Sequence, residues 1–180
     1  FSPSKSLLKT MRKQNWQLTA NTDFASVIQL CADTRENSDG TWITPEMLNA
    51  YQNLHNAGYA HSIEVWEETA DNSRTLVGGI YGVGIGRIFS GESMFHRATD
   101  ASKIALAATC QHLRSSGWNL LDCQIPNKHL SSLGATSITR KHYASCLQDG
   151  ILTSGGIKPT AELWQTLDWK NTVELATSFK

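Results

Sequence analysis

Two short runs put chemically able groups inside apolar stretches. Glu92 lies in Gly91-Glu92-Ser93-Met94-Phe95, preceded by Ile88 and Phe89, and Asp122 and Gln124 follow Leu120 and Leu121. A carboxylate buried among apolar residues is costly unless it is paired or hydrogen-bonded, so two in one small chain suggest a site. Glu92 is suited to hold a cationic amine by a charge-assisted hydrogen bond. On a strand, Asp122 and Gln124 are i and i+2 and share a face. The carboxylate can orient or relay a proton, and an amide can stabilise a developing oxyanion. The competing reading is an ion-paired strand carboxylate at 92 and a strand end at 122–124 whose polar groups satisfy backbone. Cys123, between them, points the other way and reads as core.

Other chemistries find less support. The cysteines, Cys31, Cys110, Cys123 and Cys146, lack C-x-x-C spacing, which argues against zinc or dithiol redox work and for reduced thiols in a cytoplasmic protein. No metal and no organic cofactor is expected. Ser93 and Ser132 lie in no nucleophile elbow. His61, His96 and His129 read as structural. Gly78-Gly79 and Gly82-x-Gly84-x-Gly86 match neither a dinucleotide-binding fingerprint nor a P-loop. They also lack the Gln or Arg that opens an acyl-CoA turn.

Formal net charge is zero over 180 residues, so there is no bulk basic field. Any nucleic-acid contact must be local. The densest cations are Lys5, Lys9, Arg12 and Lys13, followed by Lys128, Arg140, Lys141 and His142, and either set also reads as a solvated helix face. No apolar run approaches the ~20 residues of a membrane span, no secretory signal is visible, and no membrane partner is expected. A start at Phe1 rather than Met is expected of a trimmed chain.

Forty per cent apolar residues suffice for a packed core. Ser2-Pro3 opens a first helix, and Trp16–Ala20 alternates as a strand. Thr22 or Asp23 caps a helix carrying Phe24, Val27, Ile28 and Cys31. The polar residues Glu36–Gly40 read as a loop. Thr44-Pro45 opens a third helix, closed by Gly58. Strands are expected at Ser62–Glu67, Thr75–Val83 and Arg87–Phe89. A helix capped by Asp100 runs through His112 to Gly117, followed by a strand over Trp118–Gln124. Next come a short helix Asn127–Leu133, a strand Ala135–Ile138, a helix Arg140–Gln148, a loop Thr153–Lys158 and a helix Pro159–Trp169. Helices, then a hairpin-rich sheet, then alternation argue for a mixed α/β (α+β) domain.

With Gly40-Thr41-Trp42-Ile43-Thr44, Ala60-His61-Ser62-Ile63-Glu64-Val65-Trp66, Gly78-Gly79-Ile80-Tyr81-Gly82-Val83 and Ser132-Leu133-Gly134-Ala135, the two opening runs resemble the leucyl/phenylalanyl-tRNA–protein transferases. Motif order and spacing agree over roughly residues 5–147. The resemblance does not extend past Asp149, and the family's N-terminal domain is absent. It implies an acetyltransferase-like (GNAT) fold, a central mixed sheet flanked by helices, over residues 1–149, with 150–180 as a tail rather than a domain. The implied activity moves Leu or Phe from aminoacyl-tRNA to the N-terminal Arg or Lys of an acceptor protein.

The resemblance gives catalytic roles to Asp122, Gln124 and Glu92, and substrate contact to Asn127. Met94, Ile80, Leu106 and Leu113 are candidates for the amino-acid pocket, where flexible Met suits two side chains. Leu113 stands where the resemblance leads one to expect Phe. Trp42 either stacks on substrate or packs beneath the site as a buried core residue. Lys5, Lys9, Arg12 and Lys13 are the candidate tRNA contacts. Three alternatives stay open: a tRNA-dependent amide-forming enzyme acting on a small amine or peptide, a non-catalytic binding module for aminoacyl-tRNA or basic N-termini, and, less favoured, CoA-dependent acetyl transfer.

Overall fold

The computed structural model describes residues 1–36, 42–165 and 167–179. The expected loop at 36–40 and the Gly40-Thr41 half of one motif therefore fall almost wholly outside the described residues. In chain order the elements are α1 (Lys5–Gln14), β1 (Gln17–Ala20), α2 (Phe24–Glu36), α3 (Pro45–Asn56), β2 (Ala60–Glu68), β3 (Arg74–Ile85), β4 (Ile88–His96), α4 (Ala101–Ser115), β5 (Leu120–Asp122), α5 (Lys128–Ser132) and α6 (Arg140–Thr153). A 3-10 turn at Ala161–Trp164 and α7 (Thr172–Thr177) follow.

The sheet runs β1-β2-β3-β4-β5. The first four strands form an antiparallel meander, and β5 returns through α4 to lie parallel to β4. Strand alternation sends side chains to both faces, and each face is covered by helices. Phe24, Val27, Ile28 and Cys31 of α2 and Ile43 pack with Trp66, Leu76, Tyr81 and Phe95 on one face. Leu7 and Met11 of α1, Ile104 and Leu106 of α4, and the tail pack with Ile63, Val65, Val77 and Ile80 on the other.

Local signals explain most boundaries. Thr44 Oγ1 accepts from the Met47 N–H, and Pro45 opens α3. Asp23 caps α2 by accepting from the Ser26 N–H. Asn127 and Thr139 cap α5 and α6 in the same way. The glycines of β3 permit close packing. A Cβ at Gly78 would stand 2.5 Å from the Ala101 Cβ, so α4 starts almost on the sheet.

Several expectations are corrected. The cap of α1 is Ser4, whose Oγ accepts from the Leu7 N–H, not Ser2. Asp100 makes no side-chain cap to α4. It accepts instead from Thr10 Oγ1 and Lys103 Nζ. The strand expected at 87–89 runs on to His96, and the strand expected over 118–124 is only Leu120–Asp122. Ala135–Ile138 is not a strand and does not join the sheet, which ends at β5. Helix α6 extends past Gln148 to Thr153, and no helix spans Pro159–Trp169.

The tail completes the core. Trp164, 1% exposed, lies parallel to the His61 ring at 4.9 Å and tilts against Phe89 and His112 at 4.9 and 4.7 Å. Leu18 N–H donates to the Lys170 carbonyl, and Thr172 N–H donates to that of Trp16. Thr172 Oγ1 donates to the Met11 carbonyl and accepts from the Trp16 N–H. His61 is fully buried. Its Nδ1 meets Asn21 Nδ2, which can only donate. That leaves the proton on Nε2, directed at Thr160 Oγ1, 2.8 Å away.

Two predictions follow from this tail packing. Trp164→Ala should cost about 3–5 kcal/mol of stability in a denaturant titration, and a loss below about 1 kcal/mol would show that the tail merely rests on the domain. The second concerns acid. Burial, then the nearby His55 and His112, against an opposing hydrogen bond at Gly58, lower the His61 pKa to about 3. Unfolded, it titrates near ~6.5, so between those values the unfolded chain binds more protons. Its contribution is complete above about pH 6.5 and is lost as pH falls toward 3. Tm should fall across that window, and His61→Gln should flatten the slope. An unchanged slope would contradict the assignment.

Candidate active site

A β-bulge places Glu92. In the β3–β4 ladder Tyr81 pairs with Ser93 and Gly82 with Gly91, which leaves Glu92 as an extra residue without a partner. Bulges bend a strand and re-aim a side chain. Gly82 makes room for this one, since a Cβ there would collide with the Ser90 carbonyl oxygen and the Phe89 ring.

The second constraint is that β4 and β5 pair only briefly. Their parallel register covers Ile88–Leu120, Phe89–Leu121 and Ser90–Asp122 and then stops, while β4 continues to His96. The chain leaving β5 turns at once. Gln124 has φ 62°, and its N–H donates to Asp122 Oδ1 at 2.7 Å, an Asx-type turn. The sequence-based argument that Asp122 and Gln124 share a strand face is therefore replaced by a turn that joins them by a hydrogen bond.

Across the opening, Gln124 Nε2 donates to the Gly91 carbonyl at 3.1 Å and to Glu92 Oε2 at 3.0 Å. A side-chain amide carries two N–H donors, and both are used. Gln124 thus holds the carboxylate in place, and in this arrangement it has no donor left for an oxyanion. Glu92 and Asp122 are half-buried and Gln124 is exposed, so the site opens to solvent.

Two tyrosines complete it, and sequence reasoning missed both. Burial first, then the charge and hydrogen bonding of Glu92, raise the Tyr51 pKa above its ordinary value. Burial, then the charge and hydrogen bonding of Asp122, do the same to Tyr143 on α6. Each phenol stays protonated at neutral pH and is fit to donate to its carboxylate. The signal for Tyr51 was its place on the face of α3 beside the Trp42 motif. Nothing local marked Tyr143.

Of the two readings of Trp42, the buried one is set aside: the side chain is 41% exposed, edge-on to Tyr51 at 6.4 Å. Tyr51 in turn meets Tyr81 at 5.2 Å. Ile80, Leu106 and Leu113 are brought together in the core on the α4 face, with half-buried Met94, the register partner of Ile80, packed against them. The carboxylates meet tyrosines instead, and Met94 alone of the four is accessible. Asn127 Oδ1 is engaged in capping α5. Lys5, Lys9, Arg12 and Lys13 are all exposed on α1.

Cys123 is half-buried, and burial, then the charge of Asp122, raise its thiol pKa, the reverse of an activated nucleophile. Among the described residues the fully buried carboxylate is Glu64, which accepts from Thr19 Oγ1, Ser62 Oγ and the Thr22 N–H. So satisfied, it is a structural anchor. Among the described residues no group of three or more His, Cys, Asp or Glu could hold a metal ion, and no helix is long and apolar enough to cross a membrane.

The arrangement is a pair of partly exposed carboxylates bridged by an amide, with Trp42, Tyr51 and Tyr81 in edge-on contact on one side. An aminoglycoside acetyltransferase from an uncultured soil metagenomic sample superposes with a TM-score of 0.51 at 13% identity, covering 71% of this chain and 93% of that one, which shows an acetyltransferase-like (GNAT) fold. The leucyl/phenylalanyl-tRNA–protein transferase of Idiomarina loihiensis is 53% identical over 140 residues, 78% of this chain and 57% of the relative. Those of Pseudomonas aeruginosa and Azotobacter vinelandii are 52% and 46% identical, over 81% and 92% of this chain. The chain spans about three-fifths of the length of the first two relatives. The family model for leucyl/phenylalanyl-tRNA protein transferase matches residues 1–148, and the chain belongs to that family.

Proposed function

We propose that this domain transfers an apolar amino acid, Leu or Phe, from the 3′ end of an aminoacyl-tRNA to an amine, the N-terminal Arg or Lys of an acceptor protein. The observation that supports this most is the bridge from Asp122 through Gln124 to Glu92 across the opening between β4 and β5. An aminoacyl ester presents an α-ammonium beside an activated carbonyl. Glu92, held by Gln124 and Tyr51, is set to bind that cation. Asp122, held by the Gln124 N–H, is set to meet the acceptor amine.

In the reaction the acceptor nitrogen attacks the ester carbonyl. A peptide bond forms as the ester C–O bond breaks. The nitrogen gives up a proton, and the ribose 3′ oxygen leaves with one. Asp122 takes or orients the amine proton, and Glu92 fixes the donor. The ester is already activated, so the step draws on no external energy source. Half-buried Met94 is the member of the candidate pocket set proposed to touch an apolar side chain. Lys5, Lys9 and Arg12, at i, i+4 and i+7 of α1, with Lys13, are the proposed phosphate contacts.

The test is incubation with radiolabelled Leu-tRNA or Phe-tRNA and a protein bearing N-terminal Arg, with chelator present. Label should enter the acceptor without CoA. Acetyl transfer from acetyl-CoA with none from tRNA would overturn the reading. Glu92→Gln and Asp122→Asn should each lower kcat/KM by on the order of 10²-fold while leaving the fold intact. Normal turnover in both would place the chemistry elsewhere.

A further inference from the structure

Ser93 has no assigned role, yet its environment is unusual. It is 7% exposed, and its Oγ has no hydrogen-bond partner among the described residues. Buried polar side chains are nearly always partnered, because a hydroxyl stripped of water and left alone destabilises the fold. An unpartnered one next to a partly exposed carboxylate marks a position whose partner arrives with the ligand.

The surroundings say which part of the ligand. Ser93 is the register partner of Tyr81, and directly opposed residues share a face. The Tyr81 ring lies 5.2 Å from that of Tyr51, and the Tyr51 phenol meets Glu92. The bulge therefore turns two consecutive side chains, Glu92 and Ser93, toward one pair of tyrosines. The charge there is negative, so the ligand group that fits between them is a cation. A hydroxyl carries two acceptor lone pairs. No base is bonded to Ser93, which sets aside a nucleophilic role.

We propose that Ser93 is a binding residue for the α-ammonium of the transferred amino acid, accepting one of its N–H groups while Glu92 neutralises its charge. This rests on the aminoacyl-donor reading above. It makes the pair Glu92 and Ser93 a reader of the free α-amine, so that donors lacking it lose both contacts.

The experiment compares two amide-linked, non-reacting donor mimics by titration calorimetry. One is 3′-(phenylalanylamino)-3′-deoxyadenosine. The other is its 3-phenylpropionyl counterpart, identical but without the α-amine. The wild type should bind the first at least about tenfold more tightly. Ser93→Ala should weaken the first by at least about tenfold, the scale of one hydrogen bond to a charged group. The same variant should move the second less than about twofold, with Tm no lower than in the wild type. Glu92→Gln should also weaken the first selectively. Equal weakening of both mimics by Ser93→Ala, or a fall in Tm, would show a structural hydroxyl and overturn the proposal. So would an unchanged affinity for the amine mimic, while Glu92→Gln still discriminated. Binding of neither mimic to the wild type would overturn the donor reading itself, and this inference with it.

Discussion

Strand β4 must pack as core and present a carboxylate at the same time, and the unpaired residue at Glu92 reconciles the two demands. Without the extra residue, strict alternation would tie the orientation of residue 92 to that of Phe89 and Phe95. With it, Ile88 and Phe89 before the bulge and Phe95 after it stay buried, and Glu92 reaches the edge. The rest of the site follows from that displacement. Gly82 is bare so that β4 can bend over it. The β5 ladder ends at Ser90, and Gln124 fills the opening with an amide rather than a strand.

The two carboxylates are parts of one hydrogen-bonded unit. Gln124 meets Asp122 through its backbone N–H and Glu92 through its side chain, so a shift of either acid is felt by the other. Each also faces a phenol whose pKa is raised, Tyr51 or Tyr143. These tyrosines come from α3 and α6, on different parts of the chain. The helices thus do more than cover the sheet: they bring neutral donors to carboxylates whose other donor is Gln124. A preorganised set of this kind costs little reorganisation when a charged substrate enters.

Much of this was legible in the residues. Glu92, Asp122 and Gln124 stand out because polar types interrupt apolar runs, the helix start at Thr44 can be read directly, and the cap of α2 is narrowed to Thr22 or Asp23. The bulge could not be read. It depends on which residue of β4 loses its partner across a ladder formed with a strand several residues away. For the same reason the sequence pattern reads Gln124 as a strand residue, although its left-handed φ makes it a turn. The sequence also pointed to Glu92 as the buried acid, whereas Glu64 is the one wholly enclosed. Nothing local in β2 announces that Thr19, Ser62 and Thr22 will converge on it. The tail was misread because Trp164 and Trp169 are buried by contacts with distant elements rather than by one amphipathic helix.

The central claim is that Glu92 and Gln124 act as a unit across the opening between β4 and β5. It is tested most directly by a double-mutant cycle on kcat/KM for amino-acid transfer, with Glu92→Gln, Gln124→Ala and the pair. If the amide works by holding the carboxylate, the double variant should be about as impaired as Glu92→Gln alone, with a coupling energy of about 1 kcal/mol or more. Additive losses, within about 0.3–0.5 kcal/mol, would contradict the account and give the two side chains separate roles.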